Sequence, residues 1–177
     1  TFAGETQFVE VTVAGEARFS EATFSDRSFF DRTTFSGGAS FDQATFSYAS
    51  FHRATFSIFA GFDQATFSGH ARFDRATFSC YVHFEGTTFS RDADFDKATF
   101  SDDAWFNRAT FFGDAVFCGA TLTNHAGFNR VQFRSRVDFS RARFEGPVDF
   151  SGTRFGTDET RHVSQARFTS LSSKVAF

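Results

Sequence analysis

The sequence contains no methionine, one proline and only two cysteines, and no apolar run in it approaches the length of a membrane span. Cys80 and Cys118 lie too far apart in the repeat described below for a disulfide framework to be expected. No signal peptide is visible, so we expect a soluble protein of the cytoplasm with no membrane partner. The lack of methionine predicts that the chain is part of a longer protein.

The sequence also lacks the residue groups that enzymes use. It has no nucleophile beside a base, no paired carboxylates in a cleft and no glycine loop that would cradle a phosphate. Its five histidines are scattered, and the nearest metal-like grouping, His70 with Cys80 and His83, spans different predicted corners. We therefore expect no catalytic activity, no cofactor and no metal site.

Phenylalanine dominates what is present, with 32 copies among 177 residues. A large apolar residue recurs from Phe2 to Phe155 at alternating steps of six and five, apart from one shortened step between Phe46 and Phe51. This makes 29 units, of which 27 are centred on Phe. The residue two positions before each centre is small or β-branched and never charged. Such self-similarity indicates a repeat architecture.

Alternation of side chains along a short strand points the small residue and the Phe inward and the residue between them toward water. A unit of five or six residues cannot bury its Phe alone, so the units must stack coil upon coil. Each buried Phe contributes roughly 1.5 to 3 kcal/mol, and ring stacking adds roughly 0.5 to 1.5. The pattern therefore predicts a β-solenoid.

Units such as Ala71-Arg72-Phe73-Asp74-Arg75 and Ala93-Asp94-Phe95-Asp96-Lys97 resemble pentapeptide repeats. The resemblance covers almost the entire chain and implies an all-β fold, a right-handed quadrilateral β-helix of about seven coils. Because alternate units carry an extra residue, a coil should hold about 22 residues. We expect this solenoid to span residues 1–155, with residues 156–177 forming an irregular C-terminal segment that caps the last coil.

The same resemblance implies one specific function, because some pentapeptide-repeat proteins mimic DNA and bind type II topoisomerases such as gyrase. The chain carries a net charge of −3, with −7 over residues 1–123 and +4 over residues 124–177. A duplex carries one charge per about 1.7 Å, so this mimicry would be poor. Direct binding of nucleic acid is not expected either, since the acidic coils would oppose it.

Threonine and serine flank the Phe in alternate units, as in Thr66-Phe67-Ser68 and Thr77-Phe78-Ser79. Regular hydroxyl ladders of this kind suggest an ice-binding solenoid as a further alternative. The opposing interpretation is that Thr favours exposed strand positions and Ser favours the start of turns.

Large apolar residues interrupt the polar exterior at one predicted corner and on the face beside it, and such groups mark interfaces. They form a candidate contact patch for an unidentified protein partner, namely Ile58, Phe59, Tyr81, His83 and Trp105. A second candidate is an acidic patch of Asp92, Asp94, Asp96, Asp102, Asp103 and Asp114. We therefore interpret the chain as a rigid interaction scaffold. The alternative for the aromatic patch is that its rings fold down and shield the edge of the rod.

Overall fold

The structure is a computed structural model that describes residues 1–156, 161–162 and 166–168. Every regular element within these residues is a β-strand, and most strands are two residues long. Each strand pairs in parallel with the strand one coil further along the chain; Thr66–Phe67, for example, faces Thr88 and Phe89. The chain is therefore a β-solenoid of about seven coils of about 22 residues, as the repeat predicts.

Four faces run along the rod, numbered in the order in which the chain crosses them. Face 1 consists of the first parts of Thr23–Phe29 and Thr45–Ser50, then Thr66–Phe67, Thr88–Phe89, Thr110–Phe111, Gln132–Phe133 and Arg154–Phe155. Face 2 consists of Thr6–Gln7, the last parts of the same two long strands, Ala71–Arg72, Ala93–Asp94, Ala115–Val116, Val137–Asp138 and Arg161–His162. The two long strands join faces 1 and 2 into one sheet.

In the described part of the chain, faces 3 and 4 are separate sheets of eight and seven strands. Face 3 consists of Thr12–Val13, Thr34–Phe35, Thr55–Phe56, Thr77–Phe78, Thr99–Phe100, Thr121–Leu122, Arg143–Phe144 and Arg167–Phe168. Face 4 consists of Ala17–Arg18, Ala39–Ser40, Ala60–Gly61, Val82–His83, Ala104–Trp105, Ala126–Gly127 and Val148–Asp149. We call the corner between faces 3 and 4 edge 3/4, and the corner between faces 4 and 1 edge 4/1.

The core consists of the two inward positions of each unit, as the alternation predicts. In the unit Ala71-Arg72-Phe73, the first and last side chains are fully buried and Arg72 lies outside. Rings at equivalent positions of consecutive coils stack nearly parallel, with centroids between 4.6 and 5.4 Å apart. Rings from faces 2 and 4 meet edge to face across the centre, as Phe73 and Phe84 do at 5.3 Å. Burial therefore arises between coils.

The corners that follow faces 2 and 4 are tight β-turns. In the first of those on edge 4/1, the Ala22 amide donates to the Phe19 carbonyl at 3.0 Å, and Glu21 has a φ of 59°. Among the described residues, the equivalent residue of other coils is also left-handed, and it is glycine only at Gly86, Gly119 and Gly152. A left-handed conformation costs an ordinary residue about 1–2 kcal/mol. Stacking of the coils therefore imposes this conformation on glutamate, glutamine, arginine and lysine.

Threonine replaces alanine at some inward positions without leaving its hydroxyl unsatisfied. The buried Thr87 Oγ1 donates to the Phe62 carbonyl of the preceding coil at 2.7 Å. Thr33 and Thr153 make the same bond to the carbonyls of Phe8 and Phe128. Each of these threonine hydroxyls thus adds a hydrogen bond between coils to those that the backbone makes.

Pairing continues past residue 155. Strand Arg161–His162 pairs with Val137–Asp138, and strand Arg167–Phe168 pairs with Arg143–Phe144. The Phe168 ring stacks on Phe144 at 4.9 Å. The expected capping segment otherwise lies outside the described residues, at 157–160, 163–165 and 169–177. No helix in the described part of the chain is long and apolar enough to cross a membrane.

Candidate functional site

Three members of the predicted aromatic patch form one ring cluster at edge 3/4 and on face 4. The Phe59 ring lies 5.3 Å from Tyr81 and 5.6 Å from His83, and Tyr81 lies 5.6 Å from His83. Ile58, which precedes Phe59 in the same corner, is half exposed, and Tyr81 is 43% exposed. The cluster therefore combines mutual ring contacts with apolar surface that is open to solvent.

Trp105 continues the patch along face 4. Its strand pairs with that of His83, so the two residues are direct neighbours in the ladder. The Trp105 ring stacks on His125, with centroids 4.6 Å apart and planes 29° apart. Sequence reasoning missed His125, although it occupies the corner position that Phe59 and Tyr81 hold in earlier coils. Extending that column by further steps of 22 residues would have found it.

Two glycines of face 4 lie beneath these rings. A Cβ added at Gly61 would lie 2.6 Å from Phe59 Cζ, and one added at Gly127 would lie 2.7 Å from Trp105 Cε3. Both glycines are buried, so the rings cover the strand where it has no side chain of its own. The rings are thereby fixed against the rod, and the Tyr81 ring beside them keeps its outer surface exposed.

A carboxylate ladder along edge 4/1 borders the ring cluster. Asp42 Oδ1 accepts from the Asp63 amide at 3.0 Å, and Asp63 Oδ1 accepts from the Glu85 amide at 2.8 Å. His83 Nδ1 lies 3.5 Å from Asp63 Oδ2. Burial raises the pKa of Asp63, and the Glu85 amide and His83 offset part of that rise. Asp63 therefore places a half-buried carboxyl group beside the rings.

The structure distributes the predicted acidic patch over three separate corners and one face. Asp94 lies on face 2, Asp92 and Asp114 lie at the corner before that face, and Asp96 lies at the corner after it. Asp102 and Asp103 lie at edge 3/4, immediately before Trp105. Faces 2 and 4 contact each other only through the core, so the two groups belong to different surfaces of the rod.

Several of these carboxylates accept hydrogen bonds from backbone amides, and most of those amides belong to the next coil. Asp92 Oδ1 accepts from the Asp114 amide at 3.0 Å, and Asp114 Oδ1 accepts from the Arg136 amide at 3.2 Å. At edge 3/4, Asp103 Oδ1 accepts from the His125 amide at 3.1 Å. These acidic side chains therefore hold the corners together in addition to supplying surface charge.

Asp94 makes the same kind of bond within its own unit. Its Oδ1 accepts from the Asp96 amide at 2.9 Å. Burial is the main cause that raises the pKa of Asp94, and the charges of Asp74 and Asp96 add to the rise. Ionised Asp94 is therefore a destabilised charge on face 2.

The family of the chain follows from these repeats. A family model described as pentapeptide repeats in nine copies matches residues 1–45, 41–88 and 84–132. The chain belongs to the pentapeptide-repeat family.

Comparisons with individual proteins are weaker. No curated protein matches the chain. A structure of QnrB1, described as a plasmid-mediated fluoroquinolone resistance protein, is 14% identical at a TM-score of 0.34, over 89% of this chain and 90% of that one. HetL from the cyanobacterium Nostoc sp. strain PCC 7120, a pentapeptide repeat protein involved in heterocyst differentiation regulation, is 14% identical at a TM-score of 0.27, over 93% and 90%. Neither likeness carries an argument about function.

Charge on this pentapeptide-repeat solenoid is distributed unevenly between its faces. We define the face-4 strip as face 4 with its two edges, residues 15–21, 37–43, 58–64, 80–86 and 102–108. It holds seven carboxylates and two arginines, a net charge of −5. The equivalent face-2 strip, residues 4–10, 26–32, 48–53, 69–75, 91–97 and 113–119, holds nine carboxylates and seven cations, a net charge of −2. The negative charge of residues 1–123 therefore lies mainly on face 4.

Several cations of the face-2 strip form ion pairs with carboxylates of the same strip. Arg27 pairs with Glu5 at 2.8 Å, Arg72 pairs with Asp74 at 3.1 Å, and Arg32 pairs with Glu10. In the face-4 strip, Arg18 pairs with Glu16. Arg108 lines a shallow depression of about 340 Å³ together with Asp63 and Glu85. Most carboxylates of the face-4 strip thus lack a cation from their own chain as a close ion-pair partner.

Proposed function

We propose that this pentapeptide-repeat solenoid is a non-catalytic scaffold that binds a protein partner through face 4. One observation carries the proposal, namely the cluster of Phe59, Tyr81 and His83 that is held against Gly61 at an exposed edge. Rigid aromatic side chains with exposed surface are the usual anchors of protein interfaces. They lose little conformational entropy on binding, because the fold already fixes them. A cytoplasmic location remains part of this proposal.

Two alanine variants test the contact surface. Tyr81→Ala and Trp105→Ala should each abolish or strongly weaken capture of the partner by the immobilised chain, because each removes a ring of the patch. Phe112→Ala is the matched control, since that ring is 51% exposed at a corner remote from face 4. Retention of every captured protein by both face-4 variants would reject the proposal. Far-UV circular dichroism of each variant establishes that it is folded.

The second candidate contact is the predicted acidic patch, which the fold divides into one group on face 2 with its corners and another on edge 3/4. The alternative function is that the acidic surface mimics DNA and binds a type II topoisomerase. Five coils at about 4.8 Å extend over about 24 Å, a length over which a duplex carries about 14 charges. The net charge of −5 on the face-4 strip is about a third of that value. A gyrase supercoiling assay decides this alternative, and inhibition at stoichiometric concentrations would support it.

The hydroxyl ladders support a separate alternative. Face 3 presents threonine at the outward position of six consecutive coils, in register at Thr12, Thr34, Thr55, Thr77, Thr99 and Thr121. The ladder ends at Arg143. An assay of ice recrystallisation inhibition tests this alternative. Inhibition that Thr77→Lys abolishes would support an ice-binding function, and normal recrystallisation with the unaltered chain would reject it.

A further inference from the structure

We propose that face 4 recognises arginine: the partner presents an extended segment whose guanidinium groups lie on the rings of the aromatic patch and pair with the carboxylates beside them. This inference rests on the proposed function, because it specifies the chemistry of the partner for the same surface. Three features of the molecule lead to it, namely the pairing of other outward rings, the unpaired charge of face 4 and the spacing of its rings.

Outward aromatic rings elsewhere on this solenoid are paired with arginines of the chain itself. The Arg27 guanidinium lies 5.8 Å from the centre of the Phe29 ring, and that of Arg134 lies 5.3 Å from the centre of the Phe112 ring. Tyr48 and Arg72 line one shallow depression on face 2. In the described part of the chain, no cation lies over the rings of the aromatic patch. The rings of the aromatic patch therefore differ from Phe29 and Phe112, because no arginine of the chain lies over them.

Carboxylates border the patch on both sides. Glu85 lies exposed on edge 4/1 beside the half-buried Asp63, and Asp102 and Asp103 lie on edge 3/4. A guanidinium group stacks on an aromatic ring through its flat face and donates hydrogen bonds from its edge. A ring with carboxylates to either side satisfies both requirements at once. The net charge of −5 on the face-4 strip would also speed the approach of a cationic segment.

The spacing of the rings defines a suitable probe. The centre of the cluster of Phe59, Tyr81 and His83 lies about two coils from the centre of the pair Trp105 and His125, which corresponds to about 10 Å at about 4.8 Å per coil. A polyproline II segment rises about 3.1 Å per residue with three residues per turn, so positions i and i+3 lie about 9 Å apart on one side. A peptide with two arginines separated by two residues therefore matches both ring sites.

The experiment is a titration of the intact chain with that peptide. Trp105 is the only tryptophan in the sequence, so intrinsic fluorescence reports on the patch directly. Two further peptides carry lysine or citrulline in place of both arginines; citrulline keeps the planar shape but has no charge. We expect a saturable change with the arginine peptide and no saturation with citrulline. Lysine should bind at least about fivefold more weakly, the ratio that corresponds to about 1 kcal/mol.

Variants test whether the aromatic rings and the carboxylates both contribute to binding of the peptide. Fluorescence polarisation of the labelled arginine peptide should show at least about fivefold weaker binding to Tyr81→Ala and to Glu85→Gln, and unchanged binding to Phe112→Ala. Equal affinity for the arginine and citrulline peptides, or no binding at all, would overturn the inference. Loss of the captured partner from Tyr81→Ala in the preceding experiment would still support the proposed function in that case, so the two failures are distinguishable.

Discussion

Replacement of one central ring tests the stacked core quantitatively. Phe95 is fully buried and lies between Phe73 and Phe117, with ring centroids 5.0 and 4.8 Å away. Its ring also makes edge contacts with Phe84, Phe106 and Phe89, at 5.6, 5.5 and 6.0 Å. Phe100 lies beside it at 6.3 Å. Phe95→Ala removes all of these contacts and leaves a cavity that stacked backbones cannot close. We expect a loss of about 3–5 kcal/mol in the free energy of unfolding.

Two comparison variants separate the core from the surface. Phe112→Ala removes the same atoms from a ring that is 51% exposed, so about half of the usual 1.5–3 kcal/mol for a buried Phe should be lost. Phe95→Leu should cost less than about 1.5 kcal/mol, because Leu122 already occupies an equivalent inward position on face 3. Urea unfolding followed by circular dichroism measures all three. A cost for Phe95→Ala no larger than that for Phe112→Ala would refute the stacked core.

Three further predictions concern the corners and the surface. Gly61→Ala should displace the Phe59 ring and the Asp42 carboxylate and destabilise the protein by about 1 kcal/mol in the same urea experiment. Gly38→Ala, which has open space around it, should be neutral. Positions 64 and 86 both have positive φ. Gln64→Gly should therefore raise the free energy of unfolding by up to about 1 kcal/mol, and Gly86→Val should lower it by about 1–2 kcal/mol. A loss of stability with Gln64→Gly and a gain with Gly86→Val would contradict the account of the corners. Burial raises the pKa of Asp94 in the folded state, so this group opposes folding once pH rises above its pKa and ceases to do so in acid. Asp94→Asn should therefore stabilise the protein at pH 7, with a gain that disappears below the ordinary carboxyl pKa of about 3.9, as thermal melts across pH can measure.

The sequence was sufficient to predict the coil, because one residue type occupies nearly every inward position. The alternation of small residue, polar residue and Phe determines which side chains are buried, and the alternating steps determine the coil length. The structure confirms both. The shortened step between Phe46 and Phe51 makes the strand Thr45–Ser50 one residue shorter than its neighbour Thr23–Phe29, and the register between the two strands shifts at this corner.

The left-handed corner residues could not be predicted from local preference. Arg32, Gln43 and Arg75 all have a φ between 55 and 58°. None of these residue types favours that region, and only the stacking of coils explains it. The roles of Gly61 and Gly127 were hidden for a related reason, because a glycine in a strand does not reveal which ring will cover it.

The candidate surface could be predicted only in part. Steps of 22 residues place Phe59 beside Tyr81 and predict that their rings meet. The partition of charge between faces 2 and 4 was not apparent, because the counts along the chain combine both faces. It depends on which corner each carboxylate occupies, and the structure provides that information.

Site-specific photocrosslinking tests the central claim, that face 4 is the surface on which partners bind. A benzophenone amino acid placed at position 81 reports on the aromatic patch, and one placed at Val116 reports on the outward side of face 2. The account predicts a discrete protein adduct from position 81 in cells that express the chain, and none from position 116. Adducts from position 116 alone, or equal adducts from both positions, would contradict it.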